Sequence, residues 1–175
     1  DSMILLDGHE LDLASFPDGT SSFRCPALDL GYAMTLCVTW YYSSEDECIR
    51  LWYLAKHLRA KYPDKRHILY VPYLPNARMD RVKNDDEVFT LKWFSEFVNA
   101  MRFDEVRILD PHSDVCMALI DHAVALSPRE YIGNALSQLT NQNVLLCYPD
   151  EGSAKRYASM LGMDYVFCIK HRDWR

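Results

Sequence analysis

Three polar clusters of this chain carry the residue types that bind phosphates and divalent cations, and each cluster follows a short apolar run. They are Asn76-Ala77-Arg78-Met79-Asp80-Arg81, Asp110-Pro111-His112-Ser113-Asp114 and Tyr148-Pro149-Asp150-Glu151-Gly152-Ser153-Ala154-Lys155-Arg156. One guanidinium group can donate two parallel hydrogen bonds to the oxygens of a phosphate. Carboxylates can bind a divalent cation whose other ligands are phosphate oxygens. The three clusters together predict a site for a phosphorylated ligand.

The first two clusters each leave a simpler interpretation open. Arg78, Asp80 and Arg81 suit a phosphate or a stacked base, and they also suit a solvated loop with an ordinary ion pair. His112 stands between two carboxylates and could help to hold a cation, directly or through water. The alternative is a helix that begins at Ser113 as its N-cap, with a hydrogen-bonded His112.

The third cluster gives the sharpest prediction. Asp150 precedes a small Gly152-Ser153 turn that is expected to open a helix, whose free N–H groups can receive an anion. The alternative is an ordinary capped helix with a solvated Lys155-Arg156 face. The sequence contains neither G-x-x-x-x-G-K nor G-x-G-x-x-G, so a Walker-type or dinucleotide-binding site is not supported. Lys170-His171-Arg172 places further cations after a strand.

The elements that must position these clusters are short apolar strands that alternate with longer helical stretches. The predicted strands are Met3 to Leu6, Ser22 to Cys25, Leu36 to Trp40, His67 to Val71, Glu105 to Leu109, Asn143 to Cys147 and Tyr165 to Ile169, with a brief apolar run at Ala123 to Leu126. The predicted helices are Glu45 to Lys61, Phe89 to Met101, Val115 to Asp121, about Pro128 to Leu139, and Ser153 to Leu161. This order predicts a three-layer α/β fold, a mostly parallel sheet with helices on both faces. In such sheets ligands bind beyond the carboxyl ends of the strands, which is where the clusters stand.

The bulk properties limit the classes of partner. The 175 residues are 49% hydrophobic with a net charge of −6, which supports a core and argues against a nucleic-acid binder. No stretch approaches about 20 consecutive apolar residues, so no membrane partner is expected. The six cysteines contain no C-x-x-C pair and mostly lie in apolar runs, which predicts buried free thiols in a reducing, cytoplasmic setting.

Taken in order, five segments resemble the motifs of the ribose-phosphate pyrophosphokinase family, also called phosphoribosyl pyrophosphate synthases. Phe16-Pro17-Asp18-Gly19 resembles F-P-D-G-E, and Ala77 to Arg81 resembles A-R-Q-D-R. Asp110 to Ser113 resembles D-L-H-A, Pro149 to Arg156 resembles P-D-x-G-G-x-K-R, and Lys170-His171-Arg172 resembles K-R-R. The resemblance implies a type I phosphoribosyltransferase-like fold and an enzyme of nucleotide biosynthesis. That enzyme transfers diphosphate from ATP, with Mg²⁺, to the 1-hydroxyl of ribose 5-phosphate and releases AMP.

The resemblance also implies a role for particular residues. The implied nucleotide-binding residues are Phe16, Asp18, Arg78 and Asp80, the implied catalytic residues are Lys170, Arg172 and His112, and the implied magnesium residues are His112 and Asp150. In the family, the adenine and ribose sites cross a subunit boundary, which implies a homo-oligomer. Asp80 and Arg81 are expected to orient the loop that carries Arg78.

Four departures from the family motifs favour a second interpretation. Met79 replaces a Gln that helps to hold ATP, Thr20 replaces the Glu of F-P-D-G-E, Pro111 replaces an aliphatic residue, and Glu151-Gly152-Ser153 varies the glycine pair. The family's later sugar-binding loop, D-D-x-x-x-T-G-G-T, does not occur before Arg175. The resemblance therefore implies an N-terminal domain over residues 1–140 and the incomplete start of a second, similar domain over 141–175. The alternatives to the enzyme are a catalytically inactive regulatory or partner subunit of the same family and, more weakly, a phosphoribosyltransferase.

Overall fold

The computed structural model of the protein describes residues 3–25, 33–139 and 143–170. The chain divides into two compact units, Asp1–Leu126 and Ser127–Arg175. The boundary expected between residues 140 and 141 falls on residues 140–142, which lie outside the described ranges, so it stays a prediction.

The described residues form ten strands and five helices, and the two kinds of element alternate only after the first five strands. The strands are β1 (Met3–Leu6), β2 (His9–Glu10), β3 (Leu13–Ser15), β4 (Ser21–Phe23), β5 (Thr35–Tyr41), β6 (Arg66–Val71), β7 (Glu105–Leu109), β8 (Ala123–Leu126), β9 (Leu146–Tyr148) and β10 (Tyr165–Phe167). The helices are α1 (Glu47–Lys61), α2 (Thr90–Ala100), α3 (Asp114–Leu119), α4 (Arg129–Ser137) and α5 (Glu151–Leu161).

The first unit is built on a six-stranded sheet with the order β2-β1-β5-β6-β7-β8. The strands β5 to β8 pair in parallel, whereas β1 pairs antiparallel with both β2 and β5. The predicted α/β class is confirmed, with a mixed sheet whose antiparallel strands stand at one edge. A second, two-stranded antiparallel sheet joins β3 to β4.

The core of the first unit forms where strand alternation meets the apolar faces of the helices. In β5, Leu36, Val38 and Trp40 are buried while the residues between them are half-buried. Helices α1 and α2 add Leu51, Leu54, Leu58, Leu91 and Val98 to the same cluster. This core fixes the strands whose carboxyl ends carry the first two polar clusters.

The second unit contains α4, the parallel pair β9–β10 and α5. Its buried residues in the described ranges are Tyr148 and Ala154, and many of its apolar side chains are exposed. In the described part of the chain, no helix combines the length and the apolar character that crossing a membrane needs.

The expectation that the cysteines are buried is wrong for most of them. Cys116 is buried, while Cys25, Cys37 and Cys48 are half-buried. Cys147 in β9 and Cys168, just beyond β10, are exposed. None of the six cysteines is joined to another by a disulfide.

Candidate functional site

The loops after β6 and β7 leave the same edge of the sheet, because these two strands are parallel neighbours with Val71 opposite Ile108. The loop after β6 is anchored by the buried side chains of Leu74 and Ala77. Asn76 has a positive φ of 62°, and its carbonyl accepts a 3.0 Å hydrogen bond from the N–H of Met79. These features make the segment a tight, anchored turn that presents Arg78 at its surface.

Within this turn, the side chains of the polar cluster differ in exposure. Arg78 is exposed, and Met79 is half-buried. Asp80 has a side chain that is only 14% exposed, and its Oδ1 lies 3.6 Å from Nε of Arg81. The side chain of Arg81 is 78% exposed, so both guanidinium groups of this cluster face outward, and the orienting role of Asp80 and Arg81 stays a prediction.

The loop after β7 carries His112 on its exposed side. Asp110 has a φ of 49°, and its N–H donates a 2.9 Å hydrogen bond to the carbonyl of Leu126 at the end of β8. Ser113 occupies the N-cap position of α3, as the simpler interpretation predicted, but its side chain makes no capping bond. Among the described residues, the buried hydroxyl of Ser113 has no hydrogen-bond partner. The sequence pattern gave no sign of that.

The turn between β3 and β4 holds Asp18 and displays Phe16. The N–H of Phe16 bonds to the carbonyl of Thr20 at 2.8 Å, and Gly19 supports the turn with a φ of 83°. Oδ1 of Asp18 accepts hydrogen bonds from the Thr20 hydroxyl at 2.7 Å and from the Thr20 N–H at 2.9 Å. These two bonds, the hydroxyl bond first, hold the pKa of the Asp18 carboxyl below its usual range. Phe16 is 56% exposed.

Thr20 therefore has a role that the sequence interpretation missed. Where the family motif has Glu, Thr20 lacks a carboxylate that could accept a hydrogen bond from the nucleotide. Its hydroxyl instead donates to the carboxylate of Asp18 and orients it. The Asp-x-Thr spacing was the available signal, because a carboxylate often accepts hydrogen bonds from groups two residues further along the chain.

In the second unit, Asp150 caps α5, in line with the simpler interpretation of the third cluster. Its Oδ1 accepts bonds from the N–H and hydroxyl of Ser153 at 2.8 and 2.9 Å. These bonds, together with the positive charge of Lys170 and Arg156, lower the pKa of the Asp150 carboxyl. Both capping bonds use Oδ1 of Asp150. Its Oδ2 makes neither of them and lies 4.0 Å from Nζ of Lys170.

The described basic residues of the third cluster and of the segment after β10, namely Lys155, Arg156 and Lys170, are exposed. Lys155 forms an ion pair with Glu151 at 2.9 Å, and Arg156 lies over the ring of Tyr157. Lys170 is brought next to Asp150, but Arg172 lies outside the described residues.

A resident metal centre made only of protein ligands does not fit the described residues. Within residues 3–25, 33–139 and 143–170, no three His, Cys, Asp or Glu side chains converge as a metal site. Asp150 and His112, which the resemblance implies as magnesium residues, belong to different units, and their role as ligands stays a prediction.

Comparisons with known proteins point to one group of enzymes. No protein-family model matches the chain. The chain is 26% identical over 163 residues to a ribose-phosphate pyrophosphokinase of Sulfolobus acidocaldarius, covering 90% of this chain and 55% of that protein. It is 25% identical over 169 residues to a protein of the same name from Pyrococcus abyssi, covering 93% of this chain and 56% of that protein. The chain is thus similar in sequence to ribose-phosphate pyrophosphokinases over about 90% of its own length.

The structural comparison agrees with this resemblance at the level of the fold. The crystal structure of phosphoribosylpyrophosphate synthetase from Mycobacterium smegmatis matches with a TM-score of 0.71 at 17% sequence identity. The match covers 93% of this chain and 56% of that one. The chain thus spans about 55% of the length of its ribose-phosphate pyrophosphokinase relatives. The expected phosphoribosyltransferase-like architecture is confirmed.

Proposed function

We propose that the chain binds Mg-ATP and takes part in ribose-phosphate diphosphokinase chemistry. In this reaction the 1-hydroxyl oxygen of ribose 5-phosphate attacks the β-phosphorus of ATP. The bond from that phosphorus to the oxygen of the α-phosphate breaks, AMP leaves, and the hydroxyl proton is released. The observation that carries the proposal is the set of five motif segments, in order, in a chain that aligns with enzymes of this name over about 90% of its length.

We assign the nucleotide to two segments of the first unit, the turn after β6 and the turn between β3 and β4, which neighbouring subunits of a homo-oligomer would contribute. The exposed Arg78 guanidinium contacts phosphate oxygens, and Asp80 keeps the turn in place through Arg81. Phe16 offers an exposed ring for stacking on adenine. Both bonds from Thr20 use Oδ1 of Asp18, and we assign Oδ2 to a ribose hydroxyl.

In the second unit, we assign Asp150, Lys170 and Arg172 to the diphosphate that is transferred. The carboxylate of Asp150 is ionised because its pKa is lowered, so it can bind magnesium that is carried by the phosphates. Lys170 and Arg172 stabilise the negative charge of the transferring group. In the first unit, we assign His112 separately to magnesium-bound phosphate. Such transfers depend mainly on positioning and electrostatics, which charged side chains at strand ends can supply.

The test is AMP release from ATP by the 175-residue chain with magnesium, at several phosphate concentrations, with and without ribose 5-phosphate. The proposal expects AMP only when the sugar phosphate is present. Because the chain spans about 55% of its relatives' length, the same assay is run after mixing it with an active relative and is compared with that relative alone. If ATP binds to the chain, the chain alone releases no AMP and the mixture releases no more AMP than the relative alone, the enzymatic role is wrong.

A second candidate is an inactive partner subunit of the same kind of enzyme. Met79 favours it, because a half-buried thioether stands in the nucleotide turn and cannot donate the hydrogen bonds of an amide. This candidate expects association with an active relative and no turnover alone. A Met79→Gln variant that gains ATP affinity without gaining turnover would support it, and self-association alone in a pull-down would contradict it.

A further inference from the structure

Two exposed thiols lie side by side where β9 and β10 end. The Sγ atoms of Cys147 and Cys168 are 4.0 Å apart. Cys147 is paired with Val166, and side chains alternate along a strand, so Cys168 projects from the same face as Cys147. None of the five motif segments includes either cysteine.

We propose that Cys147 and Cys168 form a reversible disulfide that ties the end of β10 to β9. A disulfide needs a sulfur–sulfur distance of about 2.0 Å, so the two sulfurs must approach by roughly 2 Å. Cys168 lies one residue beyond β10 and is held there by a 3.0 Å hydrogen bond from its N–H to the carbonyl of Tyr148. A short shift of this residue closes the gap.

This geometry predicts a labile bridge. The two cysteines are diagonal across the strand pair, so the bond forms only if the backbone of Cys168 moves and its hydrogen bond to Tyr148 weakens. Strained and exposed disulfides are reduced more easily than buried ones. The pair is therefore suited to switching between the two states.

The oxidant that we propose is a small-molecule disulfide such as oxidised glutathione. One protein thiolate attacks a sulfur of that disulfide, which gives a mixed disulfide and releases one small thiolate. The second protein thiolate then attacks the protein sulfur of the mixed disulfide and releases the second small thiolate. Two electrons pass from the protein thiols to the oxidant, and the two protons end on the released thiols.

The other four cysteines are poorer targets for the same oxidant. Cys116 is buried, and Cys25, Cys37 and Cys48 are half-buried. Burial raises the pKa of the Cys48 thiol to about 11, which leaves little reactive thiolate near neutral pH. The Cys168 sulfur raises the pKa of the Cys147 thiol. Because the thiolate is the form that attacks, the rate of bridging should increase as the pH rises towards that pKa.

The bridge would also move a charged residue. Cys168 precedes Lys170 by two positions, and Cys147 precedes Asp150 by three. A shift of Cys168 towards Cys147 therefore changes the 4.0 Å approach of Lys170 to Oδ2 of Asp150. This consequence bears on the proposed phosphate site, whereas formation of the disulfide does not depend on it.

The test treats the reduced 175-residue chain with oxidised glutathione, blocks remaining thiols by alkylation and maps the peptides by mass spectrometry. The proposal expects a cross-linked peptide pair containing Cys147 and Cys168, lighter by two hydrogen atoms, while the other four cysteines are alkylated. Dithiothreitol should reduce this disulfide and separate the two peptides. Separate glutathione adducts on the two cysteines without a bridge, or a bridge formed only in denaturant, would overturn the proposal.

Matched variants locate the reaction. Cys147→Ser and Cys168→Ser should each abolish the bridge, and Cys48→Ser should leave its rate unchanged. Hydrogen exchange at the Cys168 amide gives a second readout, and it should become faster in the oxidised chain because the bond to Tyr148 weakens. If exchange there is unchanged while the bridge forms, the proposed shift of Cys168 is wrong.

Discussion

Thr20 shows how one side chain sets the state of a neighbouring functional group. Its hydroxyl and N–H both donate to Oδ1 of Asp18, which favours the ionised carboxylate. An ionised, oriented Asp18 is an acceptor for a ribose hydroxyl, as the proposed function requires.

Thr20→Val removes the hydroxyl and keeps the shape of the side chain. We expect the pKa of the Asp18 carboxyl to rise towards its ordinary range, because the hydrogen bond that lowers it most is lost. A carboxyl-carbon NMR titration measures this change. Thr20→Ser keeps the hydroxyl and serves as the control, and an unchanged Asp18 pKa in the Val variant would show that the hydrogen bond has no effect.

Arg78 is the residue on which nucleotide binding should depend. Arg78→Ala removes a charge-assisted contact worth about 1.5–3 kcal/mol, so we expect ATP affinity to fall roughly ten- to hundredfold. Calorimetric titration with Mg-ATP measures it. Arg102→Ala is the matched control, because this exposed arginine lies before the amino end of β7, whereas Arg78 follows the carboxyl end of β6. Equal losses in both variants would argue against the assignment of Arg78.

At the scale of single elements, α1 is joined to β5 by a buried carboxylate. Glu47 in the first turn of α1 is 2% exposed, and its Oε2 accepts a 2.7 Å bond from Nε1 of Trp40. The N–H and hydroxyl of Ser43 also donate to Glu47, at 3.1 and 2.5 Å. The sequence predicted a helix that begins at Glu45, but no pattern in it indicated the link to Trp40.

Glu47→Ala leaves the buried N–H of Trp40 without its acceptor, which should cost about 1–3 kcal/mol of the free energy of unfolding. Urea denaturation followed by circular dichroism measures the loss. Glu45→Ala changes an exposed carboxylate at the start of the same segment and should shift stability by less than about 0.5 kcal/mol. Similar losses in both variants would contradict the role of the buried network.

His67 in β6 should make the stability of the first unit depend on pH. It is 2% exposed, and Nε2 lies 2.9 Å from the carbonyl of Tyr62, so Nε2 carries the proton and donates. Burial lowers the pKa of the imidazole below its ordinary value of about 6.5. The unfolded chain therefore binds the proton more readily, and stability falls as the pH drops below about 6.5 towards the folded-state pKa.

Urea midpoints between pH 7.5 and 5 test this prediction. The natural chain should lose stability more steeply than His67→Gln, which removes the titrating ring and keeps a hydrogen-bond donor. Exposed His57 provides the control, since His57→Gln should leave the slope unchanged. Parallel slopes for all three proteins would show that His67 does not drive the dependence.

Most elements were predictable because their apolar patterns are long enough to be distinctive. Helix α1 was expected from Glu45 and begins at Glu47, and β7 has the predicted bounds. The strands β2 and β3 were missed because each contains only two or three residues, mostly exposed, and so short a segment has no apolar pattern. For the site, the sequence located the loops but not the bonds inside them, which depend on side-chain geometry.

At the scale of the whole molecule, the net charge of −6 means that any anionic ligand must be attracted by local cations. Four exposed cations provide this local charge. Arg78 lies in the loop after β6, Lys155 and Arg156 lie in the first turns of α5, and Lys170 follows β10. The expectation that clustered cations follow the strands is thus compatible with an acidic protein overall.

The two units should differ in their resistance to local unfolding. In the first, β5 and β6 contain several fully buried residues, whereas β9 and β10 leave Val166 and Phe167 about half exposed. Amides protected by few buried contacts exchange through small, frequent openings. We therefore expect hydrogen exchange to be at least tenfold slower in β5 and β6 than in β9 and β10.

Mass-spectrometric exchange on the reduced chain measures this difference, and helix α5 gives an internal comparison within the second unit. Its Asp150 cap and its αL end at Gly162 should make α5 exchange more slowly than β10, although it has a single buried residue, Ala154. Equal protection of β6 and β10 would mean that the second unit derives stability from interactions other than its own buried side chains. Such a result would require additional packing on the exposed faces of β9 and β10.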